Sequence, residues 1–170
     1  LDESGSMSGM KWDTVTAALK SFIQDPTNDG IGVGIVFFPN FNADDCIFTD
    51  YENLNVDIGV LPGNAPALVA SINGQSPQGG TPTYGALKGA LYKATGWQDA
   101  NPTHKVIVVF ASDGDPTSCS ITDIPTIAAL ASSAHNYNGV QTYVIAMAGA
   151  TVANLDQIAA AGGTNQAYER

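Results

Sequence analysis

The 170-residue chain predicts an α/β fold in which a mostly parallel sheet is covered by helices on both faces. Three observations carry this. The runs 32–38, 105–111 and 140–147 are short, largely apolar and rich in Val, Ile and Phe, as strands buried on both faces are. The segments between them repeat their apolar residues at helical spacing. Strand and helix patterns therefore alternate, which is the signature of a parallel sheet with right-handed crossovers. The length suits a single domain spanning 1–170, and no repeat, low-complexity tract or linker interrupts it.

Taken in order, Met10, Val15, Ala18, Leu19, Phe22 and Ile23 make 10–24 an amphipathic helix. Its positive end points back at the preceding loop, where a carboxylate or other anion is favoured. The stretch Asp25-Pro26-Thr27-Asn28-Asp29-Gly30 ends it. This stretch faintly resembles a calcium-binding EF-hand loop, but the twelfth position is Val36 where a bidentate glutamate is needed, so it reads as a turn. After strand 32–38, the polar loop 40–53 carries Asp44, Asp45, Cys46 and Asp50 without regular ligand spacing and reads as a solvated loop. Residues 55–60 form a short edge strand, broken by Pro62 and Gly63, and 66–72 a brief helix. The turn at 79–83 opens the next helix, with Tyr84, Leu87, Ala90, Leu91 and Ala94 on one face and Thr83 as a candidate cap. Strand 105–111 leads into Asp113 and Asp115, the latter a turn residue before Pro116. An alanine-rich helix (121–135), strand 140–147 and a helix over 155–161 capped by Gly162 complete the series.

Three loops in this scheme carry oxygen ligands. Asp2-Glu3-Ser4-Gly5-Ser6 places a carboxylate and two hydroxyls on alternate residues of a tight turn, a composition that suits a hard cation such as Mg2+ and equally suits an ordinary loop. Gly79-Gly80-Thr81-Pro82-Thr83 offers hydroxyls ahead of a helix. Ala111-Ser112-Asp113-Gly114-Asp115 puts an aspartate at the C-terminal end of the best strand, on the edge where open α/β sheets bind ligands.

These three segments, in this order, resemble the metal-ion-dependent adhesion site of a von Willebrand factor type A domain, and the similarity extends over nearly the whole chain, including Ala159-Ala160-Ala161-Gly162-Gly163. The resemblance implies a doubly wound, Rossmann-like sheet with one antiparallel edge strand. It implies a metal (Mg2+, with Mn2+ or Ca2+ as alternatives) held by Ser4, Ser6 and Thr81, with Asp2 and Asp113 coordinating directly or through water. Only the resemblance favours Thr81 over Thr83. The implied function is binding of a partner protein that supplies a Glu or Asp carboxylate, with no catalysis. In this family an apolar central strand leads into the Asp2 loop, and of it only Leu1 is present; with a last strand still in progress at 167–170, both ends are expected to be cut from a larger polypeptide. Loop lengths and polarity resemble bacterial surface or secreted members more than animal integrins. Cys46 and Cys119 fall in loops on the metal-bearing side, so a disulfide between them is expected, with two free buried thiols as the alternative. A bridge would place the protein outside the reducing cytosol, at a cell surface, in the periplasm or in the extracellular space.

Composition excludes other classes. Sixteen acidic against six basic residues give a net charge of −10, which opposes sequence-independent binding to nucleic acid or anionic lipid. No run has the roughly 20 apolar residues of a membrane span. No Gly-x-Ser-x-Gly or phosphate-loop motif is present, and His104 and His135, without partners at ligand spacing, read as surface residues. A Mg2+-dependent phosphotransferase would use Asp2 as nucleophile but needs another nearby carboxylate and a lysine. Ser4 and Ser6 stand at the neighbouring positions, and Lys11 and Lys105 read as being in the wrong contexts to help. A structural or assembly module with a non-essential metal site is the remaining alternative.

Overall fold

A computed structural model describes residues 1–41 and 45–170. Strand β1 (Gly32–Ile35) pairs antiparallel with β2 (Val56–Val60), while β3 (Ile107–Ser112), β4 (Gln141–Ala146) and β5 (Tyr168–Glu169) form a parallel set with β4 in the middle. Residues 1–3 lie between the two sets and bond to both. Leu1 donates to the Val36 carbonyl at 2.8 Å, the Phe38 N–H donates to Leu1 at 3.0 Å, and the Asp2 N–H donates to the Ala111 carbonyl at 2.9 Å. The expected strand 32–38 is regular only to Ile35, which faces Val56, the first residue of β2; beyond it the Phe37 N–H donates to the Asn55 side chain at 3.0 Å, and Phe38 pairs with residues 1–3 on the other edge.

Helices cover both faces. On one, α3 (Thr83–Ala100), α4 (Ile124–Asn138) and α5 (Val152–Ala161) pack Leu87, Leu91, Ile127, Ala131, Leu155 and Ile158 against Phe110 and Val144. On the other, α1 (Met10–Gln24) and α2 (Ala65–Asn73) bury Ile23, Leu68 and Ile72 with Phe37, and Met7, Val15 and Met147 close a smaller cluster. The alternation of β4 fits this sandwich: Val144 and Ala146 face the first cluster, and Ile145 faces α1.

Several boundaries move from the sequence-based positions, each for a local reason. Helix α4 begins at Ile124, because the Asp123 carboxylate accepts the Thr126 N–H at 3.0 Å, and it ends at Asn138, where Gly139 adopts the left-handed conformation. Helix α5 starts three residues earlier than expected, its first turn held by bonds from Thr151 and Asn154 to Asp115 at 2.9 and 2.7 Å. Gly162 does end α5, but the left-handed residue is Gly163. Thr83 is not a cap: Pro82 occupies the cap position, and the buried Thr83 hydroxyl has no hydrogen-bond partner among the described residues. His104 is exposed and meets Trp97 edge-on, as a surface residue would, whereas His135 is half-buried, its buried Nδ1 without a partner among the described residues and its ring against Gly163.

The parallel register of β3 and β4, with Ser112 opposite Ala146, brings the loops after both strands to one edge of the sheet. The turn at 4–6 and the loop at 79–81 reach the same edge: Gly5 N–H donates to Gly79 at 3.0 Å and Gln78 N–H to Glu3 at 2.8 Å. A Cys46–Cys119 disulfide ties the loop between β1 and β2 to the loop after β3.

Candidate metal centre

The first turn is built around Asp2. Its carboxylate accepts the Ser4 N–H at 2.8 Å through Oδ1 and the Ser112 hydroxyl at 2.5 Å through Oδ2, and the residue is fully buried. Burial pushes its carboxyl above the usual range, against the opposing pull of the bonds from Ser112 and Ser4. The Asp2–Ser4 bond closes a small Asx turn, which directs the Ser4 side chain toward Ser6; the two hydroxyl oxygens lie 3.0 Å apart. Ser6 in turn donates to Asp113 Oδ1 at 2.7 Å, joining the first loop to the end of β3.

Of the five residues predicted from sequence, the structure links Ser4, Ser6 and Asp113 in one hydrogen-bonded chain and ties Asp2 to them through the Ser4 backbone. Thr81 is attached through its main chain. Its N–H donates to the Thr117 hydroxyl at 3.0 Å and its carbonyl accepts the Thr117 N–H at 3.2 Å, while its own hydroxyl has no hydrogen bond among the described residues. Thr81 is buried, as are Asp2, Ser4 and Asp113. The assembled donors are hydroxyls and carboxylates only, the hard-oxygen set that fits Mg2+ and disfavours soft metals.

Sequence reasoning missed four neighbours. Ser112, the last residue of β3, and Thr117, in the loop after it, orient Asp2 and Thr81, and the serine directly before Asp113 was the only signal for either. Glu3, behind the turn, is buried; burial pushes its carboxyl up to about 7, opposed by the nearby terminal ammonium. Lys11, expected to stand in the wrong context to help such a site, in fact donates its ammonium to Asp113 Oδ2 from the first turn of α1. A lysine at the second position of a helix has no neighbour assigned by sequence until the preceding loop is folded.

The acidic loop after β1 offers a second cluster. Asp45 lies within 4.8 Å of both Cys46 and Cys119 sulfurs, but these form the disulfide and carry no thiolate to bind a metal; Asp44 lies outside the described residues. Asp115 lies in irregular chain after the bend at 113–114, and its carboxylate is engaged by Thr151 and Asn154 at the start of α5.

A family model of the von Willebrand factor type A domain matches residues 1–169, and the chain belongs to that family. A comparison with curated proteins found no match. Domains of this family commonly mediate protein–protein interaction and adhesion, and are generally not enzymes. No helix among the described residues is long and apolar enough to cross a membrane.

Proposed function

We propose that this domain binds a partner protein through a divalent metal held by Asp2, Ser4, Ser6, Thr81 and Asp113, the metal taking a Glu or Asp carboxylate from the partner. The observation that supports this most is the chain Ser4–Ser6–Asp113, in which oxygens from two separated loops meet at hydrogen-bond distance at the C-terminal edge of the parallel strands. Asp2 and Asp113 bring two negative charges, enough to balance one divalent ion, and the three hydroxyls add no further charge. An ion so held, Mg2+ by preference with Mn2+ or Ca2+ as substitutes, supplies Lewis acidity at a coordination position left for an outside oxygen.

Adhesion is favoured over hydrolysis by what the carboxylates already do. Both oxygens of Asp2 accept hydrogen bonds and the residue is fully buried, which removes it as a nucleophile. Asp113 is engaged by Ser6 and Lys11, and the described residues offer no histidine beside either to accept a proton. The disulfide supports an extracellular, cell-surface or periplasmic setting, where millimolar divalent ions and protein ligands are both present.

The test is selection of a peptide display library on the immobilised domain in Mg2+. Enriched peptides are expected to share an acidic residue whose change to Asn or Gln abolishes binding, with EDTA releasing them and Mg2+ or Mn2+ restoring capture. Peptides retained equally well in EDTA would overturn the proposal.

A further inference from the structure

Lys11 stands in an unusual position. It is the second residue of α1, where the helix dipole disfavours a cation, and yet its ammonium is drawn inward onto a carboxylate whose side chain is fully buried. The Lys11 side chain itself is 29% exposed, so the pair lies at the mouth of the site with the charge of Asp113 facing in and the stem of Lys11 facing out.

The loop after β4 passes beside the ammonium. Gly149 in that loop has φ +99°, and a Cβ there would come into ordinary contact with Lys11 Nζ at 3.5 Å and with the Asp113 carbonyl at 3.8 Å. Any side chain at this position would be strained by the backbone conformation. The loop after β4 is itself fixed beside Asp113 by the Met147 N–H, which donates to the Ser112 carbonyl at 2.9 Å.

The two oxygens of Asp113 are thus divided. Oδ1 accepts from the Ser6 hydroxyl, which keeps lone pairs free to ligate a cation, and Oδ2 accepts from a positive charge. A hydroxyl bond is compatible with a metal next to it, whereas an ammonium on the same carboxylate repels that metal and withdraws the charge that would hold it.

We propose that Lys11 is a tethered cation that competes with the divalent metal for Asp113, so that loading the site requires the ammonium to give up the carboxylate. The inference rests on the reading of the five residues as a metal site and adds the residue that sets its affinity. By linkage, whatever the ammonium costs the metal, the metal costs the ammonium. The site would then be filled only when divalent ions are abundant.

Two measurements test this on the intact domain. In calorimetric titration of Mg2+ and Mn2+ into metal-stripped protein, Lys11→Met is expected to bind at least about tenfold more tightly than the wild type, while Lys11→Arg, which keeps the charge, stays within a few-fold of it. In the unmutated protein, acylation of Lys11 by an amine reagent, followed by mass spectrometry with Lys20, Lys88, Lys93 and Lys105 as internal references, is expected to accelerate severalfold when Mg2+ is added. Wild-type binding with an unchanged or weaker affinity in Lys11→Met, or Lys11 reactivity indifferent to Mg2+, would overturn the competition and leave the metal site standing. Absence of binding in both forms would instead remove the metal site, and this inference with it.

Discussion

Thr81 and Thr83 pose a question that only side-chain chemistry answers. Both hydroxyls lack a hydrogen bond among the described residues, and they lie two positions apart at the start of α3. In the proposed site Thr81 ligates the metal, and Thr83 is left as a buried polar atom with no assigned role. Thr81→Val should therefore weaken Mg2+ binding at least about tenfold, the scale of one lost ligand, with little change in fold. Thr83→Val should leave metal affinity intact and be neutral to stabilising by about 1 kcal/mol, because it removes an unsatisfied hydroxyl without changing shape; urea denaturation and calorimetry on both variants separate the roles. At this scale the five proposed ligands could be nominated from the sequence because each ends or opens an element at a recognisable turn. Lys11, Ser112 and Thr117 were not, since their partners come from loops more than thirty residues away and only the folded chain sets the pairing.

Elements behave according to how closely they approach one another. Helix α3 lies against the short 3-10 turn Phe48–Tyr51, and a Cβ at Gly89 would fall 2.4 Å from the Phe48 carbonyl and 2.6 Å from Tyr51 Cβ. Gly89→Ala should destabilise the domain by about 1–3 kcal/mol, despite the better helix propensity of alanine, through overpacking; a stabilised variant in denaturant titration would show that α3 stands further off. Helix α4 carries an acid-sensitive start. The Asp123 carboxyl is held below its usual value by hydrogen bonds from Thr126. A depressed folded value means that its contribution is fully present above the ordinary aspartate range and is lost as pH falls through the folded value. Asp123→Ala should accordingly lower the denaturation midpoint at neutral pH and flatten the acid limb of stability against pH, and an unchanged acid limb would argue against the cap. Strand and helix identity were readable because apolar period differs between them, but ends were not. The starts of α4 and α5 depend on Asp123 and Asp115 reaching particular backbone or side-chain donors, and the early end of β1 depends on where its partner β2 begins, at Val56 opposite Ile35.

At the scale of the molecule, the domain divides its work between a scaffold and an edge. The two helix layers bury the sheet, and all three ligand loops emerge at one end of it, cross-braced by backbone bonds and by the Cys46–Cys119 bridge across 73 residues. Closing a loop of that length contributes roughly 4 kcal/mol in the chain-entropy view, so reduction should lower the thermal midpoint markedly while the reduced, folded fraction still binds metal; a midpoint indifferent to reductant would show the bridge to be structurally idle. The fold class was legible from alternation alone, and three motifs in order nominated the candidate site, of which the structure joins Ser4, Ser6 and Asp113. The bonding of residues 1–3 to both strand sets was not, because no local pattern announces it. The most direct test of the central claim is calorimetric titration of Mg2+ into the metal-stripped domain and into Asp113→Ala. One ion per chain in the first, and none in the second, is the predicted result; an affinity that survives the loss of Asp113, or no binding by the unaltered domain, would contradict it.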